Sequence, residues 1–200
     1  MTQFEKLDLL LRECGGTIQT FEVLNNGISK SVFYAYVKER GLEQAAHGVY
    51  VSPDTWTDAM YILHLRCNQA VFSHETALFF HDLTDREPLK YTITVRTGYN
   101  PSRLQEDGFQ VYTIKKELHE VGTTTMQTSF GHAVPVYDME RTICDLLRSR
   151  KNIEMQVFAY LTEQVIKNNM SMIFPMCISL IAGYMISREQ TDDTLKNILT

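Results

Sequence analysis

The stretch FSHETALFFHDL concentrates the groups best able to do acid–base or metal chemistry. His74 and Glu75 are adjacent, and His81 and Asp82 follow seven residues later, which puts the two histidines on one face of a helix. Imidazole and carboxylate so arranged would hold a divalent metal, or serve as acid and base in a hydrolase or nuclease. The metalloprotease spacing HExxH is absent, because Leu78 stands four residues after His74. The structural alternative is a helix capped through Ser73 and Glu75, with the histidines packed inside.

A second group, Asp138, Glu140, Arg141 and Asp145 in VYDMERTICDLLRSR, holds the carboxylates a Mg²⁺ nuclease would use. Its spacing fits a helix start instead. Asp138 is placed to cap, Glu140 lies in the first turn where anions favour the helix dipole, and Arg141 pairs with Asp145 at i, i+4. No glycine-rich phosphate loop, GxSxG or dinucleotide fingerprint occurs. Cys14, Cys67, Cys144 and Cys177 lack chelating spacing and read as free thiols of a reducing cytosol. These features point away from catalysis, so a non-enzyme without cofactor or metal is expected.

The elements that must position these residues belong to an ordinary globular chain, 44% hydrophobic and 22% charged. A formal charge of -5 excludes a generally basic nucleic-acid coat, so any DNA contact must be local. The opening MTQFEKLDLLLREC sets acids within an amphipathic pattern rather than a basic leader, and a cytoplasmic location is expected. Phe4, Leu7, Leu10 and Leu11 recur at helical spacing up to Gly15 and Gly16. FEVLNNG follows as a short second helix, with Thr20 as its N-cap. Ser29 caps a third, KSVFYAYVKER, which stops at Gly41. Two short β-prone pieces around His47 and Gly48 complete the segment.

Three short helices and a hairpin make a winged helix-turn-helix arrangement, whose third helix enters the major groove. Ser29, Lys30, Ser31 and Tyr34 are then the candidates for base edges or sugars, and Lys38 and Arg40 for phosphates. A solvated surface helix would show the same residues. Beyond Asp58 the spacing predicts two helices broken at AVFS, strands in YTITVRTG and FQVYTIK, and a hairpin through Phe130-Gly131-His132. It then predicts a helix capped by Asp138, with Ile143, Leu146 and Leu147 on one face. The expected class is α+β: a winged helix-turn-helix domain over 1–57, a mixed α/β domain over 58–158, and an apolar helical tail over 159–200.

In combination, HGVYVSPD, FSHETALFFHDLTDREP, YTITVRTGYN and VYDMERTICDLLRSR resemble the AbiEi family over residues 1–158. These proteins are antitoxins and transcriptional regulators of type IV toxin–antitoxin systems linked to abortive phage infection. The resemblance implies a repressor that binds inverted repeats in its own promoter. It also implies neutralisation of a nucleotidyltransferase-like toxin without the need for a stable complex. Carried onto this chain, the DNA role falls on Ser29, Lys30, Ser31, Tyr34 and Lys38, with His47 in the wing. The resemblance supplies no residue-level motif for antitoxicity.

The tail reads differently. Residues 168–187 carry no charge, and Met170 to Ile186 is mostly apolar, close to the length a membrane helix needs (about 20 residues). A buried carboxy-terminal helix with Pro175 at its first turn or a kink is one reading. The other is a foreign piece, because IAGYMISREQTDDTLKNILT resembles an ABC-type transporter permease fragment where a membrane helix meets a coupling segment. Such a tail would carry no transport, since one helix makes no path, but it would allow membrane association.

Overall fold

The computed structural model describes residues 2–149. The described residues divide into two compact units, residues 2–70 with 125–135, and residues 71–124 with 136–149. The protein is mixed α/β, with helices and two sheets. The apolar tail helix expected over 159–200 lies outside the described residues.

In the first unit, α1 (Gln3–Glu13) starts at a reciprocal cap: Thr2 Oγ1 accepts from the Glu5 amide, and the Glu5 carboxylate accepts from the Thr2 amide. β1 (Thr17–Gln19) leads into α2 (Thr20–Asn25) and α3 (Lys30–Arg40), followed by β2 (Glu43–Ala46), β3 (Val49–Val51) and α4 (Ala59–Arg66). The three strands pair in the order β1-β3-β2, antiparallel throughout. Gly41 closes α3 in the left-handed region, at φ 65°, which a side-chain-bearing residue enters only at a cost. Leu7, Ile18, Val23, Ile28, Phe33 and Tyr36 form the core. Phe4 meets the Tyr36 ring edge-on at 5.4 Å, and Phe33 meets Tyr50 at 5.3 Å.

Two local expectations need correction. Thr20 does not cap α2; Gln19 holds the cap position with no side-chain capping bond, and Thr20 Oγ1 is buried without a partner among the described residues. The reason is that β1 runs directly into the helix, and the Thr20 amide is spent on the Gly48 carbonyl at 2.8 Å. Likewise Ser73 stands at the N-cap of the fifth helix but makes no capping bond, because its hydroxyl is drawn into a buried network described below.

The chain continues with β4 (Val71–Phe72), α5 (His74–Phe80), β5 (Thr92–Arg96), α6 (Ser102–Glu106), β6 (Gln110–Ile114), α7 (Lys116–His119), β7 (Thr123–Gln127), β8 (Ala133–Tyr137) and α8 (Met139–Arg148), and most of β7 and β8 falls within residues 125–135 of the first unit. The strand order is β6-β5-β4-β8-β7, with β5 and β6 parallel, β4 and β5 antiparallel, and β4 and β8 parallel. The two predicted strands and the hairpin are present, while β1, β4, α6 and α7 are additions to the sequence reading. Asp138 caps α8 by accepting from the Arg141 amide at 2.8 Å, and Ile143 and Leu146 are buried as their spacing requires.

The first compact unit takes in α4 and residues 125–135 as well as residues 1–57, and Asp58 supplies the physical reason. It is buried, at 4% exposure. One carboxylate oxygen caps α4 by accepting from the Met60 and Tyr61 amides at 3.1 Å each. The other accepts from Thr128 Oγ1 at 2.6 Å and from His132 Nδ1 at 2.8 Å. The His132 ring lies parallel to Tyr61 at 4.1 Å, and Gln19 Nε2 reaches the Leu65 carbonyl at 2.8 Å.

Asp58→Ala strands four donors in a dry site, each costing about 1–3 kcal/mol if left unmet. We expect it to destabilise the first unit by about 3 kcal/mol in urea unfolding. Amide exchange at Met60 and Tyr61 should accelerate first, and unchanged protection there would show that Asp58 is not the fastening.

Candidate nucleic-acid interface

The residues assigned to DNA in the sequence lie on α3 and on the turn between β2 and β3. Ser29 caps α3, its Oγ accepting from the Val32 amide at 3.4 Å, and it stands 3.0 Å from Ser31 Oγ. Phe33 and Tyr36 are the buried side of this helix. Lys30, Ser31, Tyr34 and Lys38 are exposed on it. The buried pair is offset by three positions, so the exposed residues fall on the opposite stripe.

Tyr34 is tied to the strands behind it. Its ring meets that of Tyr50 on β3 at 6.4 Å, edge-on. Burial raises the Tyr50 phenol, and the Tyr34 hydroxyl beside it adds to the shift. His47 is exposed in the tight turn that Gly48 makes at φ 73°. The Gly48 carbonyl accepts from the start of α2, so the turn is anchored to the helical part of the unit.

Arg40 departs from its assigned role. Its guanidinium donates to Asp8 Oδ2 at 2.7 Å and lies over the Tyr36 ring, and Tyr36 gives its hydroxyl to the other oxygen of Asp8 at 2.8 Å. Burial, then Asp8, pushes the Tyr36 phenol up to about 12. Arg40 therefore fastens α3 to α1. A partner 32 residues away leaves no trace in local spacing.

Two of the acid–base candidates of the second unit, His74 and His81, have different hydrogen-bond partners. His74 is fully buried in a left-handed conformation, φ 49°. Its Nδ1 meets Ser73 Oγ at 3.0 Å, its Nε2 meets Ser149 Oγ at 3.1 Å, and its ring stacks on Tyr112 at 3.7 Å. Ser73 Oγ accepts from Thr94 Oγ1 at 2.9 Å, and Thr92 Oγ1 donates to the Ser73 carbonyl. His81 instead donates from Nε2 to the Tyr137 carbonyl at 2.7 Å, and Asp82 is exposed. Glu75 is half-buried. Among the described residues no group of three or more His, Cys, Asp or Glu is arranged to hold a metal.

Asp138 and Asp145 make contacts that hold α8. Asp145 accepts from Arg141 Nε at 2.8 Å and from Arg148 at 2.9 Å, and Arg141 also donates to the Leu118 and Val121 carbonyls. Cys14 and Cys67 are free thiols. Burial, then Glu22, pushes the Cys14 thiol up to about 11, so it stays protonated near neutral pH.

Burial, helped by Arg148 and Arg141, lowers His74 to about 3. The folded value lies below the ordinary unfolded value of about 6.5, so below that pH the unfolded chain binds the extra proton. Stability contributed by neutral His74 is therefore complete above about pH 6.5 and lost progressively down to about pH 3. The slope is about 1.4 kcal/mol per pH unit inside that window. Urea unfolding between about pH 6.5 and pH 4.5 should show this decline in the parent and a shallower one in His74→Gln; equal slopes would refute it.

The family model described as an ABC-2 family transporter protein matches residues 141–200, well under half of the chain and, from residue 150, outside the described residues. Among the described residues no helix is long and apolar enough to cross a membrane. No curated protein matches the chain.

Proposed function

We propose that this protein is an antitoxin of the AbiEi type, a transcriptional autorepressor whose α1 to β3 segment acts as a winged helix-turn-helix. Its partners on this reading are operator DNA with inverted repeats and, functionally, a nucleotidyltransferase-like toxin. One observation carries the DNA part. A helix capped at Ser29 and buried through Phe33 and Tyr36 exposes Lys30, Ser31, Tyr34 and Lys38 together, with the turn of His47 following it in the chain. Short polar side chains, a phenol and lysines are the groups that reach base edges and phosphates from a helix in the major groove.

The charge arrangement shapes how such a reader works. Arg40 is paired with Asp8, which leaves Lys30 and Lys38 as the unpaired formal cations of α3. Affinity then depends little on counterion release and more on hydrogen bonds and shape.

Lys30→Ala and Tyr34→Ala should each weaken binding to the cognate inverted repeats about tenfold or more, with circular dichroism unchanged. Lys30→Ala should also flatten the salt dependence by about one unit of slope per protomer, whereas Arg40→Ala should leave that slope unaltered. Parent-like operator affinity in both the Lys30 and Tyr34 variants would remove α3 as the reader.

The transporter-family match over residues 141–200 favours one addition, a tail that tethers the regulator to membrane. Fractionation should then place the full chain with membranes and a chain ending at Phe158 in the supernatant. Both in the supernatant would sever the tether from the reading.

A further inference from the structure

The first unit carries a polar groove that neither the exposed stripe of α3 nor the Asp58 cluster uses. It encloses about 460 Å³, within the usual range of small-molecule sites (roughly 300–1,000 Å³). Its walls are α1, the end of α3 and the segment after β3. That last segment is pressed close against the end of α1: a Cβ on Gly16 would stand 2.1 Å from Thr55 Oγ1, so only glycine admits Thr55 as a wall. Half-buried Leu11 and buried Leu42 supply the apolar lining.

Four charges line the groove and sum to zero, Asp8 and Asp54 against Arg12 and Arg40. Asp8 and Arg40 satisfy each other at 2.7 Å. Arg12 and Asp54 are exposed, and neither is in an ion pair among the described residues. With Asp8 and Arg40 paired, a simple anion entering here would gain Arg12 but meet Asp54, and a simple cation would gain Asp54 but meet Arg12. A molecule bearing both signs meets neither penalty.

We propose that this groove binds a small zwitterion, an amino-carboxylate of amino-acid or dipeptide size. Its carboxylate sits on the Arg12 guanidinium, whose planar fork matches carboxylate geometry, and its ammonium sits on Asp54. The Ser52 and Thr55 hydroxyls line the same groove and can take the remaining polar atoms. The inference does not rest on the DNA reading, because it is tested on the protein alone.

The test is isothermal titration of the full chain with the free proteinogenic L-amino acids and glycylglycine, with acetate and methylammonium as single-charge controls. We expect at least one zwitterion to bind with a Kd of about 1 mM or tighter, and neither control to do so. Arg12→Gln and Asp54→Asn should each weaken it about tenfold, while Arg103→Gln, in the second unit, leaves it unchanged. Both altered residues are exposed, and circular dichroism checks that the fold is kept. Absence of binding by every zwitterion up to about 10 mM overturns the proposal. So does acetate or methylammonium binding as tightly as the zwitterion, or undiminished affinity in both variants.

Discussion

A carboxylate taken out of water must find donors for its lone pairs or become protonated. Asp58 finds four, two backbone amides of α4 on one oxygen, and the Thr128 hydroxyl and His132 ring on the other. Each donor comes from a place where it would otherwise be hard to satisfy. The amides belong to the first turn of a helix, where no intrahelical acceptor exists. Thr128 is itself buried, and its hydroxyl also accepts from the Phe130 and His132 amides. The tight chain reversal at 128–132 and the start of α4 are thus closed by one side chain. This is why residues 125–135 fold with residues 1–70 despite their distance in sequence.

Asp8 has a comparable role at the other end of the same unit, with an electrostatic consequence. By accepting from Tyr36 and Arg40 it fixes how α3 packs on α1. It also cancels one of the three formal positive charges on α3, Lys30, Lys38 and Arg40. A helix that spends an arginine on its own packing keeps less long-range attraction for phosphate. It has to rely on groups that act at contact distance, and Ser29, Ser31 and Tyr34 are such groups. The sharing of Tyr34 between the helix and the Tyr50 phenol limits its freedom before any partner arrives, which lowers the entropic cost of a contact.

What was legible in the sequence follows the range of the interaction. The Ser29 and Asp138 caps, the Gly41 stop, the strands at 92–96 and 110–114 and the Arg141–Asp145 pair all rest on neighbours within five residues or on a two-residue period. Thr20 and Ser73 fit the same local rule and failed it, because a strand carbonyl and a buried hydroxyl network competed for them. The Arg40–Asp8 bond was not legible, because it spans 32 residues. The Asp58 cluster spans up to 74 residues, and no spacing rule reaches that far. The candidate site was legible as a set of residues on one helix, and its charge was not.

The most catalytic-looking residue of the chain shows how such a signal is produced by folding alone. In TITVR the alternation of Thr with Ile and Val reads as a strand, and Thr92 and Thr94 are as buried as Ile93 and Val95. Their hydroxyls therefore need partners inside, and Ser73 and Thr76 supply them. Ser73 can face Thr94 only if the chain turns sharply after it, and His74 makes that turn in a conformation that non-glycine residues adopt at some cost. Stacking on Tyr112 and the bond to Ser149 hold the ring in place there, joining the start of α5 to the end of α8. A histidine so placed must stay neutral, since a charged ring would be buried beside two arginines. The position of His74 therefore follows from the closing of a buried hydroxyl network.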